Sequence, residues 1–510
     1  MNWSLLFSSY ASVFTNLQVL LLTFLGAAGG IIIGAIPGMT ATMGIALLIP
    51  FSFGMDLIPS IGLLLGIYCG GMYGGSISAI LIHAPGTPAA AATVMDGYPM
   101  GQKGQAGRAL SIAMFASFCG GIIGCLCMTF LSPMLASAAM SFGPAEMFML
   151  AMFGLSVIIA ISGKSVMKGL TSAFFGLLIC CIGQDKTNGV LRYIPSDLYA
   201  LYEGLPFIPT LIGLFAVAEV FAGFEKICGR RQEKEEKIDA NVTRVLPSWS
   251  DIKIIWKNIG LGGLIGSFIG AIPGAGGDIA AFVSYGVSKN ISRHPEKFGT
   301  GIPEGVAATE SANNGCSGGA MIPLLSLGVP GDSVTAVLLG AFIMKGITPG
   351  PMMYIDKLDV VYGVFAALML ANLAMLVVGM LGVRLFVKII SVEKKILMPC
   401  ILIVSLLGAY SINQNLFDVG LAVVFGAIGY LMTKYEYPLS PILLALILGP
   451  LSEINFVRYM GIVDGNLGAI FSRPICVAFM VLSVGFLLYS LFSQRRINKK
   501  NAAAEGEAQA

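Results

Sequence analysis

A few polar side chains interrupt stretches of this sequence that are otherwise apolar. Thr40 and Thr42 follow one Pro-Gly pair, and Asp278 follows another. The densest group precedes the glycine pair 318–319 and comprises Glu310, Ser311, Asn313, Asn314 and Ser317. Burying such groups without partners is expensive, so they are candidates for binding a polar ligand or an ion.

Each candidate has a structural alternative. Asn313 and Asn314 could coordinate sodium or donate to a carboxylate, but they could also make hydrogen bonds between helices. Asp332 could bind a proton or a cation, or it could cap a helix. His83 could relay protons, although a single histidine beside a Pro-Gly turn is more often structural.

A hexapeptide that occurs twice predicts two broken helices. Residues 33–38 and 269–274 both read Ile-Gly-Ala-Ile-Pro-Gly. Proline lacks the amide hydrogen that a continuing helix needs, and glycine adopts backbone angles closed to other residues. The apolar stretches that follow, 39–53 and 275–285, are too short to cross a bilayer of ~30 Å. Two broken helices at matching positions indicate the binding site of a transporter.

The two halves share further motifs downstream of each break. The glycine-rich segment 70–76 resembles 315–319, Pro85-Gly86-Thr87 matches Pro330-Gly331-Asp332, and Met95-Asp96-Gly97 matches Met344-Lys345-Gly346. Small residues allow close packing of membrane helices, which is one interpretation of the glycine pairs 74–75 and 318–319. The other is that the adjoining Pro-Gly sites interrupt helices, leaving amides for a carboxylate and carbonyls for a cation.

Composition places these motifs in a membrane protein. The 510 residues are 56% hydrophobic and only 11% charged, with 65 glycines. Apolar segments of ~20 residues recur along the chain. We therefore predict an all-α, polytopic integral membrane protein with two inverted-topology repeats, broken or re-entrant helices and roughly 10–12 membrane segments.

Hydrophilic segments define the predicted domains. These are a first membrane repeat (1–224), a cytoplasmic linker (225–258), a second membrane repeat (259–492) and a disordered cytoplasmic tail (493–510). The candidate membrane segments are 17–36 with its broken partner 40–54, 60–82, 106–131, 145–162, 165–183, 204–224, 259–272 with its broken partner 276–287, 304–330, 332–345, 360–383, 397–412, 416–433, 439–451 and 474–492.

Loop charge predicts the orientation. The loop 54–59 holds only Asp56, whereas its counterpart 287–303 is basic, and the uncharged loop 132–144 has the basic counterpart 384–395. If the two halves are inserted in opposite orientations, equivalent loops lie on opposite sides of the membrane. One loop of each pair should then be basic and the other should not. The uncharged N-terminus is predicted to be periplasmic and the basic C-terminus cytoplasmic, without a removable signal peptide. The positive charges of Lys186 and Arg192 do not fit this orientation, because both residues fall on the predicted outer side.

Other classes of protein are disfavoured. The segment 163–165 resembles part of a phosphate-binding loop, but Ile158 stands where glycine is required. An intramembrane enzyme would need a catalytic constellation, and the two histidines do not form a metal-binding pair at helical spacing. The cysteines lack the spacing of zinc ligands, and we expect them to be small buried apolar residues. A carboxylate or anion channel remains an alternative, because re-entrant helices also build filters.

Several of these motifs together resemble a known family. They are Gly-Ala-Ile-Pro-Gly-Met-Thr-Ala-Thr-Met-Gly at 34–44, Tyr-Gly-Gly-Ser-Ile at 73–77, Ala-Pro-Gly-Thr-Pro at 84–88, Ile-Pro-Gly-Ala-Gly-Gly at 272–277, Glu-Gly-Val-Ala-Ala-Thr-Glu-Ser-Ala-Asn-Asn at 304–314 and Gly-Val-Pro-Gly-Asp at 328–332. The sequence resembles the large membrane subunit of tripartite tricarboxylate transporters over nearly its whole length, apart from the linker and tail.

The resemblance implies a bacterial inner-membrane importer of di- or tricarboxylates such as citrate. Its expected partners are a small four-helix membrane subunit and a periplasmic substrate-binding protein. Binding to nucleic acid is not expected. The resemblance also implies coupling to a cation gradient, usually sodium, with a proton left open. No cofactor and no enzymatic activity are expected.

The broken helices and the polar clusters yield a predicted site at the bilayer midplane. The predicted substrate-binding residues are Gly38, Thr40, Thr42, Gly74, Gly75, Gly274, Gly276, Gly277, Asp278, Gly318 and Gly319. The predicted cation-binding residues are Ser76, Thr87, Asn313, Asn314 and Asp332. Apart from sodium, no metal is expected.

Overall fold

The protein is almost entirely helical in a computed structural model, which describes every residue except 1, 162–164, 186, 196–197, 229–245, 390–393 and 510. The chain forms two compact units. Unit 1 comprises Met1–Met140 and Leu211–Ala427, and unit 2 comprises Ser141–Thr210 and Ile428–Ala510. Each unit takes residues from both predicted repeats, whose inverted orientation stays a prediction.

The first half of the chain contains ten helices and one short hairpin within its described residues. The helices are α1 (Trp3–Thr15), α2 (Leu17–Ala35), α3 (Ala41–Ser52), α4 (Leu57–Ile82), α5 (Ala90–Met100), α6 (Ala106–Ala139), α7 (Pro144–Ile161), α8 (Val166–Cys180), α9 (Phe207–Leu211) and α10 (Ala218–Cys228). The strands β1 (Gly183–Gln184) and β2 (Leu191–Arg192) pair antiparallel. π-Helical turns at Gly101–Gln105 and Ile212–Val217 join α5 to α6 and α9 to α10.

The described residues of the second half form ten further α-helices. They are α11 (Trp249–Gly270), α12 (Gly276–Ile291), α13 (Pro303–Leu327), α14 (Ser333–Met344), α15 (Met353–Asp356), α16 (Leu358–Ile389), α17 (Lys394–Asn413), α18 (Leu416–Lys434), α19 (Ser440–Ile462) and α20 (Pro474–Gln509).

Ten helical segments among the described residues are long and apolar enough to cross a membrane. They are Leu17–Ala35, Leu57–Ile82, Ala90–Ala139, Phe207–Glu225, Trp249–Gly270, Leu358–Gly382, Lys395–Asn413, Leu416–Lys434, Ser440–Ile462 and Pro474–Phe492. This confirms the predicted all-α, polytopic membrane class. The predicted segment 304–330 is not among the ten, because α13 carries many polar residues; nearly all of α13 is nevertheless buried.

Unit 1 is built around two helices that carry the repeated glycine motifs, α4 and α13. Helix α2 packs along α4, and α11 packs along α13, so corresponding helices of the two halves make corresponding contacts. The long helix α6 packs against α13, and α16 packs against α4. Helix α5 contacts both α4 and α13. The motif-bearing segments are thus held in the interior of one unit.

Unit 2 contains a smaller helical core. Helix α19 packs against α7 and α8, and α20 packs against α7. Two ion pairs join its segments: Arg473 Nη1 lies 2.9 Å from Glu146 Oε1, and Arg192 Nη1 lies 2.5 Å from Glu453 Oε1. Arg192, whose charge disagreed with the predicted orientation, is therefore neutralised by a glutamate of α19.

Several boundaries differ from the sequence prediction. Helices α1 and α5 were not among the predicted membrane segments, since both mix small and polar residues with apolar ones. Helix α11 begins at Trp249, inside the predicted linker, where Ser248 and Asp251 form a capping box. Helix α10 extends into the linker as far as Cys228, and linker residues 229–245 lie outside the described residues. Helix α20 runs to Gln509 through the predicted disordered tail, whose Ala, Glu, Gln and Lys residues are good helix formers.

Candidate functional site

The two repeated hexapeptides break helices as predicted. Helix α2 ends at Ala35 and α3 begins at Ala41, while α11 ends at Gly270 and α12 begins at Gly276. Gly38 and Gly274 have φ values of +93° and +83°, which other residues rarely adopt. The same local chemistry therefore produces the same break in both halves.

The second repeated motif also interrupts helices, and it folds back onto the first. Pro85-Gly86 lies between α4 and α5, and Pro330-Gly331 lies between α13 and α14. A Cβ atom at Gly86 would collide with the carbonyl oxygen of Gly34, and one at Gly331 would collide with that of Gly270. Each Pro-Gly turn is thus packed tightly against the end of the helix that breaks in its own half.

The N-termini of three short helices converge in unit 1. The hydroxyls of Thr42 (α3) and Ser333 (α14) are 3.1 Å apart. A Cβ built on Gly276, the first residue of α12, would lie 3.7 Å from Cβ of Asp332, the N-cap of α14. The starts of α3, α12 and α14, which carry partial positive charges, therefore lie close to one another.

Asp332 is the most heavily bonded residue of this region. Its Oδ1 accepts from the Thr335 amide and hydroxyl, both at 2.7 Å, and its Oδ2 accepts from the Tyr68 hydroxyl at 2.6 Å. The capping role, one of the two sequence interpretations, is therefore what the structure shows. Tyr68 was missed, because a tyrosine in an apolar helix gives no signal of its partner.

Three of the predicted cation-binding residues carry buried oxygens without a hydrogen-bond partner among the described residues. They are Asn313 Oδ1, Asn314 Oδ1 and Ser76 Oγ. An unsatisfied buried polar atom costs about 1–3 kcal/mol, which makes these oxygens candidates for binding an ion or another ligand. The two asparagines face different neighbours: Asn313 Nδ2 donates to the Met72 carbonyl at 3.1 Å, and Asn314 Nδ2 lies 3.6 Å from Met375 Sδ.

Thr87, the remaining predicted cation residue, lies on the first-half Pro-Gly turn. Its hydroxyl accepts from the Ala90 amide at 3.4 Å. The equivalent position in the second half is Asp332, so the two turns present a hydroxyl and a carboxylate respectively. The structure does not bring all five predicted cation residues to one point.

Among the predicted substrate residues, the paired glycines lie at helix contacts. A Cβ at Gly74, Gly318 or Gly319 would collide with backbone atoms of a facing helix, and one at Gly75 would meet Thr87. Close packing, the structural alternative, therefore describes all four positions. Their role in substrate binding stays a prediction.

The residues at the two breaks differ in accessibility and bonding. Thr40 caps α3 by accepting from the Met43 amide at 3.3 Å. The Gly274 amide donates to the Gly331 carbonyl at 2.7 Å, so it is not free for a carboxylate. Gly38 and Asp278 are exposed, and Gly277 is buried beside Asn313.

An acidic residue that sequence reasoning missed lies beside the first break. A Cβ at Gly38 would be 3.0 Å from Oε1 of Glu219, on α10. Asp278 occupies the first turn of α12 at the second break. A carboxylate thus accompanies each break, although the two come from unrelated positions in the chain.

The matched residues Asp96 and Lys345 each hold the loop of the other half. Asp96 Oδ1 accepts from the amides of Gly299, Gly301 and Ile302 at 2.7–3.1 Å, in the loop between α12 and α13. Lys345 Nζ donates to the Phe53 carbonyl at 2.8 Å and to that of Met55, in the loop between α3 and α4. At equivalent positions of the two halves, the negative Asp96 thus binds backbone amides and the positive Lys345 binds backbone carbonyls.

We expect Asp96→Ala to lower the thermal unfolding temperature in detergent. The change leaves three amides and the Tyr285 hydroxyl, which donates to Asp96 Oδ2 at 2.9 Å, without their acceptor. Orphaned buried donors cost about 1–3 kcal/mol each where water does not replace the acceptor. Asp356→Ala, at an exposed position of α15, is the control. Equal unfolding temperatures for the two variants would contradict this role of Asp96.

His83 is exposed and ends α4 in the left-handed conformation, with φ +55°. Its ring lies 4.5 Å from that of Tyr98. Among the described residues, no group of three or more His, Cys, Asp and Glu side chains could hold a metal ion. These contacts match the structural interpretation of His83.

Comparison with known proteins decides the family. The model of the tripartite tricarboxylate transporter TctA family matches residues 20–444. The chain belongs to this family. Every break, Pro-Gly turn and asparagine described above lies inside the TctA match, whereas α20 lies beyond it.

Two relatives of this TctA-family chain come from Agrobacterium vitis. A 52.8 kDa protein in the TAR-I ttuC' 3' region is 36% identical over 485 residues, covering 94% of this chain and 95% of the relative. A protein in the TAR-II ttuC' 3' region is 36% identical over 242 residues, covering 48% of this chain and all of the relative. No solved structure matches. The protein is thus a multi-pass tricarboxylate transporter subunit.

Proposed function

We propose that this protein is the subunit through which a di- or tricarboxylate of the citrate type crosses the bacterial inner membrane, driven by a cation gradient. A small four-helix membrane subunit and a periplasmic protein that captures and delivers the substrate complete the transporter. The N-terminus is periplasmic and the C-terminus cytoplasmic in this proposal. The family supports the substrate class, and the geometry of unit 1 supports the mechanism.

The observation that carries the proposal is the convergence of the α3, α12 and α14 N-termini. Each helix start carries a partial positive charge, which suits a carboxylate. Thr40 and Thr42 add hydroxyls at the start of α3, while the carbonyl side of each break suits a cation. Short helices that meet inside the protein are the arrangement expected at the binding site of a secondary transporter.

The acidic residues of this region favour a cation that binds together with the substrate. Asp278 and Asp332 would repel a carboxylate by themselves, but a sodium ion between an aspartate and the substrate would offset the repulsion. Asn313 and Asn314 contribute unpartnered oxygens, which are the ligands that a hard cation prefers. Sodium binding near these residues would therefore increase the affinity for the acid.

The test is uptake of radiolabelled citrate, and of a panel of other di- and tricarboxylates, into proteoliposomes. The vesicles contain this chain with its small subunit, and the binding protein is added outside. We expect saturable uptake that requires an inward sodium gradient and returns the substrate chemically unchanged. An ohmic citrate current without saturation would instead establish a channel, and a chemically altered substrate would establish an enzyme.

Asn314→Ala should weaken the sodium dependence of uptake without reducing expression. The variant removes an unpartnered carbonyl oxygen, so the sodium concentration for half-maximal uptake should rise several-fold. Asn455→Ala is a matched control, because Asn455 is a buried asparagine of α19 that donates to Leu451 of its own helix at 2.7 Å. Unchanged sodium affinity in a well-expressed Asn314 variant would exclude the proposed role.

A further inference from the structure

Helices α11 and α12 of unit 1 form a hairpin around the second break. A Cβ atom built on Gly262 of α11 would lie 3.1 Å from Oγ of Ser284 on α12. Gly262 precedes the end of α11 by as many positions as Ser284 follows the start of α12. The chain therefore reverses direction at the break, and the start of α11 lies on the same side of unit 1 as the end of α12.

The open end of this hairpin carries a group of positive charges, which we call the basic cluster. Its members are Lys253 and Lys257 of α11, Lys289 of α12 and Arg293 in the loop after α12. All four side chains are exposed, and none forms an ion pair with another described residue. Lys257 and Lys289 are equally far from the break in sequence, which places them at about the same level of the hairpin.

The acids that flank the basic cluster do not neutralise it. Asp251 is buried and pairs with Arg108 of α6 at 2.5 Å. Asp96 is bound to amides of the loop between α12 and α13, and Glu296 in that loop contacts a neighbouring histidine ring. Glu304, in the first turn of α13, makes no ion pair with the cluster. The cluster is therefore free to attract an anion from outside the protein.

The exposed face of the hairpin changes from basic and aromatic to apolar toward the break. Trp249 and Trp256 are 71% and 59% exposed, and Lys257 Nζ lies 5.6 Å from the centroid of the Trp256 ring. Tryptophan and lysine together are typical of the boundary between water and membrane. Exposed apolar side chains follow on both helices, namely Leu264 and Phe268 on α11 and Phe282 and Val283 on α12. Because Trp249–Gly270 is long and apolar enough to cross a membrane, this face is expected to contact lipid.

We propose that the basic cluster binds an anionic phospholipid. The lipid phosphate contacts the lysines of both helices, and the acyl chains lie along the apolar part of the hairpin face. Clusters of basic residues beside a membrane segment attract acidic headgroups by charge complementarity. A lipid fits this surface better than a free phosphate does, because the apolar side chains continue directly from the cations. The inference requires only that the protein spans a membrane, so it is independent of the transported substrate.

The bound lipid would stabilise the open end of the hairpin. Lys257 and Lys289 have the same charge and lie at about the same level, so they repel each other across the two helices. A phosphate that contacts both lysines offsets this repulsion. Since the other end of the same hairpin is the second break, the lipid would hold together the two helices that meet there.

Tryptophan fluorescence provides a direct test of lipid preference. The chain has three tryptophans, and two of them, Trp249 and Trp256, border the basic cluster. Trp3→Phe leaves these two as the reporters. The variant is placed in vesicles of equal parts phosphatidylglycerol and phosphatidylcholine, with one of the two lipids brominated on its acyl chains at a time. Bromine quenches tryptophan on contact, so brominated phosphatidylglycerol should quench roughly twofold more strongly than brominated phosphatidylcholine.

Substitutions in the Trp3→Phe background assign this preference to the basic cluster. Lys257→Gln should weaken it, and the combination of Lys253→Gln, Lys257→Gln and Lys289→Gln should abolish it. Lys357→Gln is the matched control, because Lys357 is an exposed lysine between α15 and α16. The unfolding temperatures in detergent should stay unchanged, since all these side chains are exposed. Equal quenching by the two lipids before any lysine is changed, or a preference that survives the triple substitution, would overturn the proposal.

Two further arms distinguish other occupants of this surface. Inorganic phosphate and chloride, compared at equal ionic strength, should weaken the preference equally, because both only screen charge. If phosphate removed the preference and chloride did not, the cluster would be a site for a free anion. Addition of the small membrane subunit should leave the preference unchanged. Loss of quenching by both brominated lipids in that complex would mean that the subunit covers this face, and the lipid site would be excluded.

Discussion

Gly86→Ala is expected to strongly reduce the yield of folded protein. A Cβ at this position would overlap the carbonyl oxygen of Gly34 and would press on the backbone of Gly75. Overpacking costs about 1–3 kcal/mol where side chains can adjust, and a rigid backbone leaves less room for adjustment. Thermal unfolding in detergent and size-exclusion chromatography would measure the loss. Gly331→Ala should behave similarly, because its Cβ would meet the Gly270 carbonyl and Ala320.

Gly29→Ala provides the control for both variants. Gly29 lies in α2, the helix that ends beside Gly86, and nothing lies within 4 Å of an added Cβ there. Alanine is favoured over glycine in a helix by roughly 0.5–1 kcal/mol, so this variant should unfold at an equal or higher temperature. If Gly86→Ala and Gly29→Ala were equally stable, the turn at Pro85-Gly86 could not be tightly packed against α2.

The breaks could be predicted from sequence because their cause is local. Proline removes an amide hydrogen, and glycine permits the positive φ seen at Gly38 and Gly274, wherever these residues occur. The repetition of the hexapeptide then predicted that both halves would break alike. The same reasoning located the second interruptions at Pro85-Gly86 and Pro330-Gly331, since proline there also prevents a continuous helix.

The partners of the polar groups could not be predicted, since they depend on packing between distant segments. Tyr68 is 264 positions from Asp332, and Thr93 is 217 positions from Glu310. Glu219 lies in the last predicted segment of the first repeat, yet it neighbours Gly38. Periodicity assigns a residue to a helix face, but it does not identify the helix that covers that face.

The repeated motifs predicted which positions of the two halves correspond. They did not predict that the side chains at corresponding positions make the same kind of contact. Asp96 and Lys345 occupy matching places and both hold a loop of the other half, but one binds amides and the other binds carbonyls. Thr87 and Asp332 likewise occupy matching turns with different side chains. The two halves therefore share a backbone design, while the side chains at matching positions differ in charge.

Asp332→Ala is expected to abolish transport and to destabilise the protein. It removes the N-cap of α14, which contributes about 0.5–2 kcal/mol, and leaves the buried Tyr68 hydroxyl without its acceptor at about 1–3 kcal/mol. Thermal unfolding in detergent and citrate uptake would be measured on the same preparations. Asp359→Ala is the control, because Asp359 is an exposed acid in the first turn of α16.

Asp332→Asn separates the structural role of this residue from its charge. The asparagine oxygen can still accept from the Thr335 amide, and its NH₂ group can donate to the Tyr68 oxygen, so the unfolding temperature should stay close to that of the wild type. The negative charge that we propose for sodium binding is absent, so sodium-driven uptake should be lost. A stable Asp332→Asn variant with wild-type sodium dependence would mean that Asp332 serves only as a cap. The cation would then have to be held by other oxygens of this region, and Asp278 and Glu219, which lie beside the two breaks, would be the candidate carboxylates.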